Sequence, residues 1–291
     1  MIRHLLQLIW NQRKQNAWLW AELLLVSVFL WFLVDYLYVM GRTYTAPLGF
    51  DIRHTYSIVI SSLSERSPDY IPKEKRERPD GVHLLTALDR IRTYPGVESA
   101  CLTDGGMPYY MGSRNLVWRI DTLQVPCRYA FVTPEFFDVF RIYDKDGKTA
   151  SLKRAIEDNN SIVISADVET MNPGLSLLGQ KAYRGNVTDE IEETIRGISV
   201  PIRRHEYTKA EPNVYRALRL SRMEEGYYEG MIDAVRLCVR VRPDVDNADF
   251  PARFRKDMAE QLRLGNLYLL DVQPLSYIRD GYIRSIGVEN E

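Results

Sequence analysis

The chain has 291 residues, of which 45% are apolar and 26% charged; 38 basic residues face 39 acidic ones. This is ordinary globular composition, which excludes collagen, long disorder and a disulfide-dense miniprotein. The near-zero net charge of −1 gives no basic excess to neutralise phosphates, so nucleic acid is not an expected partner. Three cysteines are too few for a disulfide framework.

Apolar residues are unevenly spread. Residues 17–40 read AWLWAELLLVSVFLWFLVDYLYVM, and 13 of these are Leu, Val or Phe. At about 1.5 Å per residue, such a helix crosses a hydrocarbon core about 30 Å thick. The lipid bilayer is therefore the first expected partner. Glu22 and Asp35 oppose insertion, each by at most about 3 kcal/mol and less near the ends, and the apolar side chains outweigh them. The two acids differ by about 220° around the helix, so they form no single polar stripe. They snorkel to the two interfaces or meet polar groups of other spans. Trp18, Trp20, Tyr36 and Tyr38 mark the interfaces. The stretch exceeds a signal peptide's apolar core and lacks a good small-x-small cleavage site, so it reads as a retained anchor.

Residues 1–16 carry Arg3, Arg13 and Lys14 and no acid, which predicts a cytoplasmic N-terminus and an outward-facing bulk. Leu5, Leu8, Ile9 and Trp10 can share one helical face. The flank is then either an amphipathic helix at the inner surface, touching a cytoplasmic partner, or a plain positive flank.

Beyond residue 41 the pattern predicts a water-soluble α+β domain. Residues 55–63 (TYSIVISSL) form a strand. KEKRER at 73–78 is a solvated loop or a fraying helix start rather than a binding patch. Asp80 caps a helix whose apolar positions are Val82, Leu85, Leu88 and Ile91, and Pro95-Gly96 ends it. Residues 97–103 return as a strand into the turn Asp104-Gly105-Gly106. A second strand–helix–strand unit follows the same plan. Residues 232–241 (IDAVRLCVRV) alternate as a half-buried strand does. Residues 246–264 form a helix with Phe250, Phe254, Met258 and Leu262 on one side, stopped by Gly265. Residues 267–272 form a strand, and Pro274 opens a last helix through 283. Two such units predict a split βαβ sheet with helices on one face. The intervening region, about 116–230, holds strand candidates at 116–120, 126–132, 161–165 and 194–199 and a short helix from Pro134. It reads as an inserted β-rich subdomain.

No catalytic constellation is present in the sequence, and neither a metal site nor a cofactor is expected. The four histidines are scattered, and there is no H-E-x-x-H and no C-x-x-C. Gly147-Lys148-Thr149 lacks the earlier glycine of a phosphate loop, where Ile142 stands. Cys101, Cys127 and Cys238 fall in strands, as buried thiols or with a Cys101–Cys127 bridge in an oxidising compartment. Tyr109-Tyr110 and Tyr227-Tyr228 sit beside glycines. The Met107-Pro108-Tyr109-Tyr110-Met111 loop is the preferred partner-contact patch, unless one ring of each pair packs back onto the domain.

The order of segments resembles that of MacB/FtsX-like ABC transporter permeases, through their periplasmic core domain. The resemblance covers nearly the whole chain. It rests on the basic N-terminal helix, one span, and Gly49-Phe50-Asp51 before the first strand. Tyr94-Pro95-Gly96-Val97-Glu98-Ser99, Val132-Thr133-Pro134-Glu135-Phe136-Phe137, Ser161-Ile162-Val163-Ile164-Ser165, Leu178-Gly179-Gln180-Lys181 and Ile195-Arg196-Gly197-Ile198 follow in order. It implies a porter-like part at 41–115 and 231–280 and an inserted sabre-like part at 116–230. It also implies mechanotransmission from a separate cytoplasmic ABC ATPase, which holds the ATP hydrolysis, so this chain would not be an enzyme. A homodimer or paired permease, a periplasmic or outer-membrane partner and an inner-membrane location follow from the same resemblance. Partner contacts are expected at Arg3, Arg13, Lys14, Glu22, Asp35, Met107, Tyr109 and Tyr110. Such permeases carry three more spans, so residues 281–291 read as a connector to a second one. The alternatives are a single-span sensor or binding module for a peptide or envelope component, and a membrane-tethered enzyme.

Overall fold

The computed structural model describes Trp10 and residues 17–112, 114–185 and 190–288. The flank with Arg3, Arg13 and Lys14 lies outside the described residues, apart from Trp10, which is helical and exposed. The chain divides into two units: residues 1–46 with 206–209, and residues 47–205 with 210–291.

The first unit is dominated by α1, Ala17–Thr45, with 29 residues and no buried side chain. The helix runs five residues beyond the predicted end at 40. Thr45 closes it, its hydroxyl donating to the carbonyls of Gly41 (3.0 Å) and Arg42 (3.3 Å). Pro47 then disfavours helical backbone at Ala46.

The second unit is built on ten strands among the described residues, in the order β10-β1-β9-β2-β4-β3-β6-β7-β5-β8. One wing combines the two ends of the unit: β1 (Thr55–Ser62), β2 (Val97–Asp104), β9 (Val235–Val241) and β10 (Leu267–Pro274). β1 lies between β9 and β10, and β9 lies between β1 and β2, all antiparallel. Helix α2 (Asp80–Arg92) joins β1 to β2, and α7 (Phe250–Met258) joins β9 to β10. Both helices pack against the odd-numbered face of β9, where Leu237, Val239 and Val241 meet Leu84, Leu88, Ile91, Phe250 and Phe254.

Three details differ from the sequence reading. Pro79, not Asp80, takes the cap position of α2, and it has no side-chain acceptor. The carboxylate of Glu229, 149 residues away, accepts the Asp80 backbone N–H instead (2.9 Å). The stripe of α2 is rotated to Leu84, Ala87, Leu88 and Ile91. Helix α7 is shorter than 246–264, because Pro251 fixes its start and turns follow Met258; Phe250, Phe254, Met258 and Leu262 are nevertheless all buried.

The middle of the chain forms the other wing: β3 (Asn115–Ile120), β4 (Leu123–Val132), β5 (Ser161–Ser165), β6 (Lys181–Arg184), β7 (Ile191–Ser199) and β8 (Asn213–Ala217). β4 is the branch point. Its first half pairs with β3, its last residues pair with β2, and residues 128–132 pair in parallel with β8. The Tyr129 N–H donates to Arg114 on the β3 side, whereas the Arg128 N–H donates to Pro212 on the β8 side. β8 also pairs with β5, so β4-β3-β6-β7-β5-β8 close into a ring of six strands. Trp118, Ile120, Cys127, Ile162, Ile164, Ile195 and Val214 form the core of this wing. β6 and β8 have four and five residues and were absent from the sequence reading.

Five short or terminal helices complete the unit. α3 (Phe136–Val139), α4 (Ala150–Ala155) and α8 (Leu275–Val288) supply a middle core with the even-numbered face of β9. α5 (Asp167–Met171) follows β5, and α6 (Leu220–Glu224) lies against α2. A Cβ at Gly81 would come within 2.4 Å of the Met223 carbonyl oxygen, so α6 fits only over a glycine there.

Phe254 is fully buried in the first core. Replacing it with Ala should cost about 3–5 kcal/mol of stability, read by chemical denaturation. An unchanged midpoint would mean that the α7 face contributes no packing.

Candidate functional site

α1 is long and apolar enough to cross a membrane, with a mean hydropathy of 2.2 over its best 18-residue window. At about 1.5 Å per residue, it is roughly 44 Å long. Glu22, Asp35, Trp18, Trp20, Tyr36 and Tyr38 are all exposed on it. Among the described residues nothing satisfies either acid.

The predicted contact loop after β2 is turned inward at two of its three named positions. The Thr103 hydroxyl accepts the Gly106 N–H (3.1 Å) and pins the turn. Tyr109 sits in the left-handed region at φ 58°, a conformation that costs about 1–2 kcal/mol in a non-glycine residue. Its ring is held edge-on by Phe50 (5.8 Å) and Tyr282 of α8 (5.9 Å), which keeps it there. Met107 and Tyr109 are buried because they complete the middle core and its rim. Tyr110 is half-buried under the Arg236 guanidinium (5.1 Å), and Met111 is exposed beside Ser285 of α8. The loop therefore joins the sheet, residue 50 and α8. In the second tyrosine pair, Tyr228 is buried and Tyr227 exposed.

The main polar feature of the unit is one that sequence reasoning missed. Arg240 of β9 is fully buried, and its guanidinium donates to three backbone carbonyls: Val139 (2.7 Å), Arg53 (2.7 Å) and Asp51 (2.7 Å). The Asp51 carboxylate lies near the same cation (4.0 Å) and accepts hydrogen bonds from the Arg53 side chain and N–H. Burial works to raise the Asp51 pKa, but these bonds and the Arg240 charge outweigh it and hold it below the usual 3.8. The signal was in the sequence. The even positions of IDAVRLCVRV carry Cys238 between two arginines, which is not the pattern of a plain solvent face. The predicted half-buried strand is buried on both faces.

Three other charged groups have taken inside positions. Glu193 accepts from Trp118 (3.1 Å) and Arg216 (2.7 Å) within the six-strand wing. Arg76 is not in a solvated loop; it bridges Asp80 (3.1 Å) and Glu229 (2.8 Å). Asp246 accepts from Tyr56 and faces His54 Nδ1 at 2.5 Å. Each is a satisfied cross-link between elements distant in sequence, as buried charges must be.

All three cysteines are free and buried. Cys101 lies opposite Cys238 across β2 and β9, whereas Cys127 belongs to the core of the six-strand wing, so the Cys101–Cys127 bridge is not formed. Burial pushes the Cys127 thiol up to about 12 and the Cys101 thiol well above its ordinary value. Neither is a ready nucleophile.

By sequence, no family model and no curated protein matches the chain. By structure, it shares its fold with a domain described as that of a permease protein from Porphyromonas gingivalis. The two are 19% identical over 78% of this chain and 92% of that one, with a TM-score of 0.51. Two more solved structures are similar at lower scores. The periplasmic region of MacB from Actinobacillus actinomycetemcomitans is 9% identical, over 84% of this chain and 98% of that one, with a TM-score of 0.43. The extracellular domain of the noncanonic ABC-type transporter YknZ from Gram-positive bacteria is 11% identical, over 74% and 100%, with a TM-score of 0.41.

Two measurements test the Arg240 cluster. Arg240→Met should cost about 3–5 kcal/mol in chemical denaturation, since it strands three carbonyl acceptors. Arg240→Lys should recover little of this, because one ammonium cannot reach all three. The Asp51 contribution is fully present above the unfolded aspartate pKa of about 3.9 and is lost as pH falls through the lower folded value. Asp51→Asn should therefore flatten the acid limb of a stability–pH curve below about pH 4. A limb as steep as that of the wild type would remove Asp51 from the account.

Proposed function

We propose that the chain is the membrane subunit of an ABC-type export or mechanotransmission system: the first span and extracytoplasmic domain of its permease. The observation that carries this reading is a combination. A 29-residue apolar helix directly precedes a domain with the fold of a permease domain. In this reading the wing of β10-β1-β9-β2 with α2 and α7 is the porter-like, split βαβ part, within residues 41–115 and 231–280. The six-strand wing is the sabre-like part, within 116–230. A separate cytoplasmic ATPase hydrolyses ATP, and its motion passes along the span to the outer domain. Arg13 and Lys14 keep the N-terminus inside. The side chains that serve this function hold elements together, and the Arg240 cluster and the 105–112 loop are such groups.

Topology is tested by labelling. The native cysteines are at most 1% exposed. A single cysteine in place of exposed Glu224 should therefore be the only fast-reacting thiol. A membrane-impermeant maleimide should label it in intact spheroplasts. Labelling only after lysis would place the domain in the cytoplasm and overturn the proposal.

The partner is tested by purification. An ATP-hydrolysing subunit should stay with the full chain when native membranes are solubilised in mild detergent. A chain that purifies without one, yet binds an envelope peptide, would be a sensor or binding module.

A further inference from the structure

Beneath the Gly105–Tyr110 loop lies a cavity with about 40 Å³ of free space, bounded by the loop, the Arg128 segment of β4, the start of β8 and residues 202–204. A water needs about 10–15 Å³ on this measure, so the space matches roughly three waters or one tetrahedral oxyanion. Among the described residues its wall carries three arginines, Arg128, Arg203 and Arg204, and no carboxylate.

Arg128 and Arg204 are placed against electrostatics unless something joins them. The Nε–H groups of Arg128 and Arg204 are both buried without an acceptor. Arg128 is held below its ordinary pKa first by burial and then by the charge of Arg204, while Glu211, Tyr215 and Tyr282 oppose this. Of these, only Glu211 is a carboxylate, and it is exposed. The Arg204 guanidinium also lies over the Tyr282 ring (5.9 Å), which fixes its position without neutralising it. A guanidinium keeps its proton in a protein, so this site cannot relieve the repulsion by titration. It can do so by taking an anion. Planar donors at two arginines suit the oxygens of a phosphate group. Asn213, Tyr109 and Tyr215 line the rest of the cavity, so the bound group would be enclosed by polar and aromatic side chains.

We propose that this cavity is an oxyanion site in which Arg128 and Arg204 hold a phosphate group, supplied as free phosphate or as a phosphomonoester headgroup. Tyr109 lines the cavity, Tyr282 lies under the Arg204 guanidinium, and the two rings pack against each other. Occupancy would therefore bias the packing of the 105–112 loop on α8.

The test uses the full chain in phosphatidylcholine nanodiscs, with inorganic phosphate exchanged for chloride at fixed ionic strength. Phosphate should raise the melting temperature in a saturable way and broaden its own phosphorus resonance. In Arg128→Gln and Arg204→Gln its affinity should fall at least tenfold. A second arm replaces free phosphate with phosphatidic acid in the nanodisc. A response only in this arm, lost in the variants, assigns the site to a lipid headgroup; a response to inorganic phosphate assigns it to the free ion. In chloride alone Arg204→Gln should melt no lower than the wild type, because it removes a like charge beside Arg128. Responses absent from both arms, equal to that of chloride, or retained in Arg204→Gln would overturn the proposal. If Arg128→Gln does not fold, Arg204→Gln alone decides.

Discussion

The second unit depends on a cation where hydrophobicity alone would place an apolar residue. Arg240 sits in β9, a strand covered on both faces, and its guanidinium is spent on three main-chain carbonyls. Two of those carbonyls belong to residues 51 and 53, on the stretch that leads into β1. The third ends α3. A buried charge with this many donors is costly unless every donor finds an acceptor. That demand fixes three elements at once: the entry to the sheet, its central strand and the short helix on its second face. A purely apolar side chain could fill the space, but it could not specify where the three carbonyls must point.

The same device recurs across the unit. Glu193 ties β3, β7 and β8 inside the six-strand wing, and Glu229 caps α2 while meeting Arg76. These links join residues far apart in sequence, and each is satisfied within the fold. Such links tie packed elements to one another. In the proposed function, they would let the unit pass movement on as packed blocks. The 105–112 loop is the complementary case. Its strained Tyr109 packs against rings from two other segments, Phe50 and Tyr282.

Much of this was legible in the residues. The N-terminal helix follows from the length of its apolar run, and both strand–helix–strand units and the buried side of α7 follow from periodicity, because each buries a face against a neighbour. Residues 161–165 are buried at every position, and that strand was located to the residue. What failed depended on the rest of the chain. β6 and β8 are too short to show a period, and β8 exists because β4 and β5 both offer it an edge. Asp80 looks like a cap because nothing local reveals Glu229. Arg240 and Arg76 read as solvent-facing charges, since a single sequence does not show that a second layer covers them. The Met107–Met111 loop allows both a contact patch and a ring packed back onto the domain, because a Gly-Gly turn marks a loop but not which way it folds.

In the proposed function the second unit answers to nucleotide at a separate ATPase. Hydrogen exchange on the full chain in native membrane vesicles tests it most directly. Trapping the ATPase with ATP and vanadate should change protection in the 105–112 loop and along α8, which ring contacts join. Identical exchange throughout the outer domain, with and without trapped nucleotide, would contradict the account.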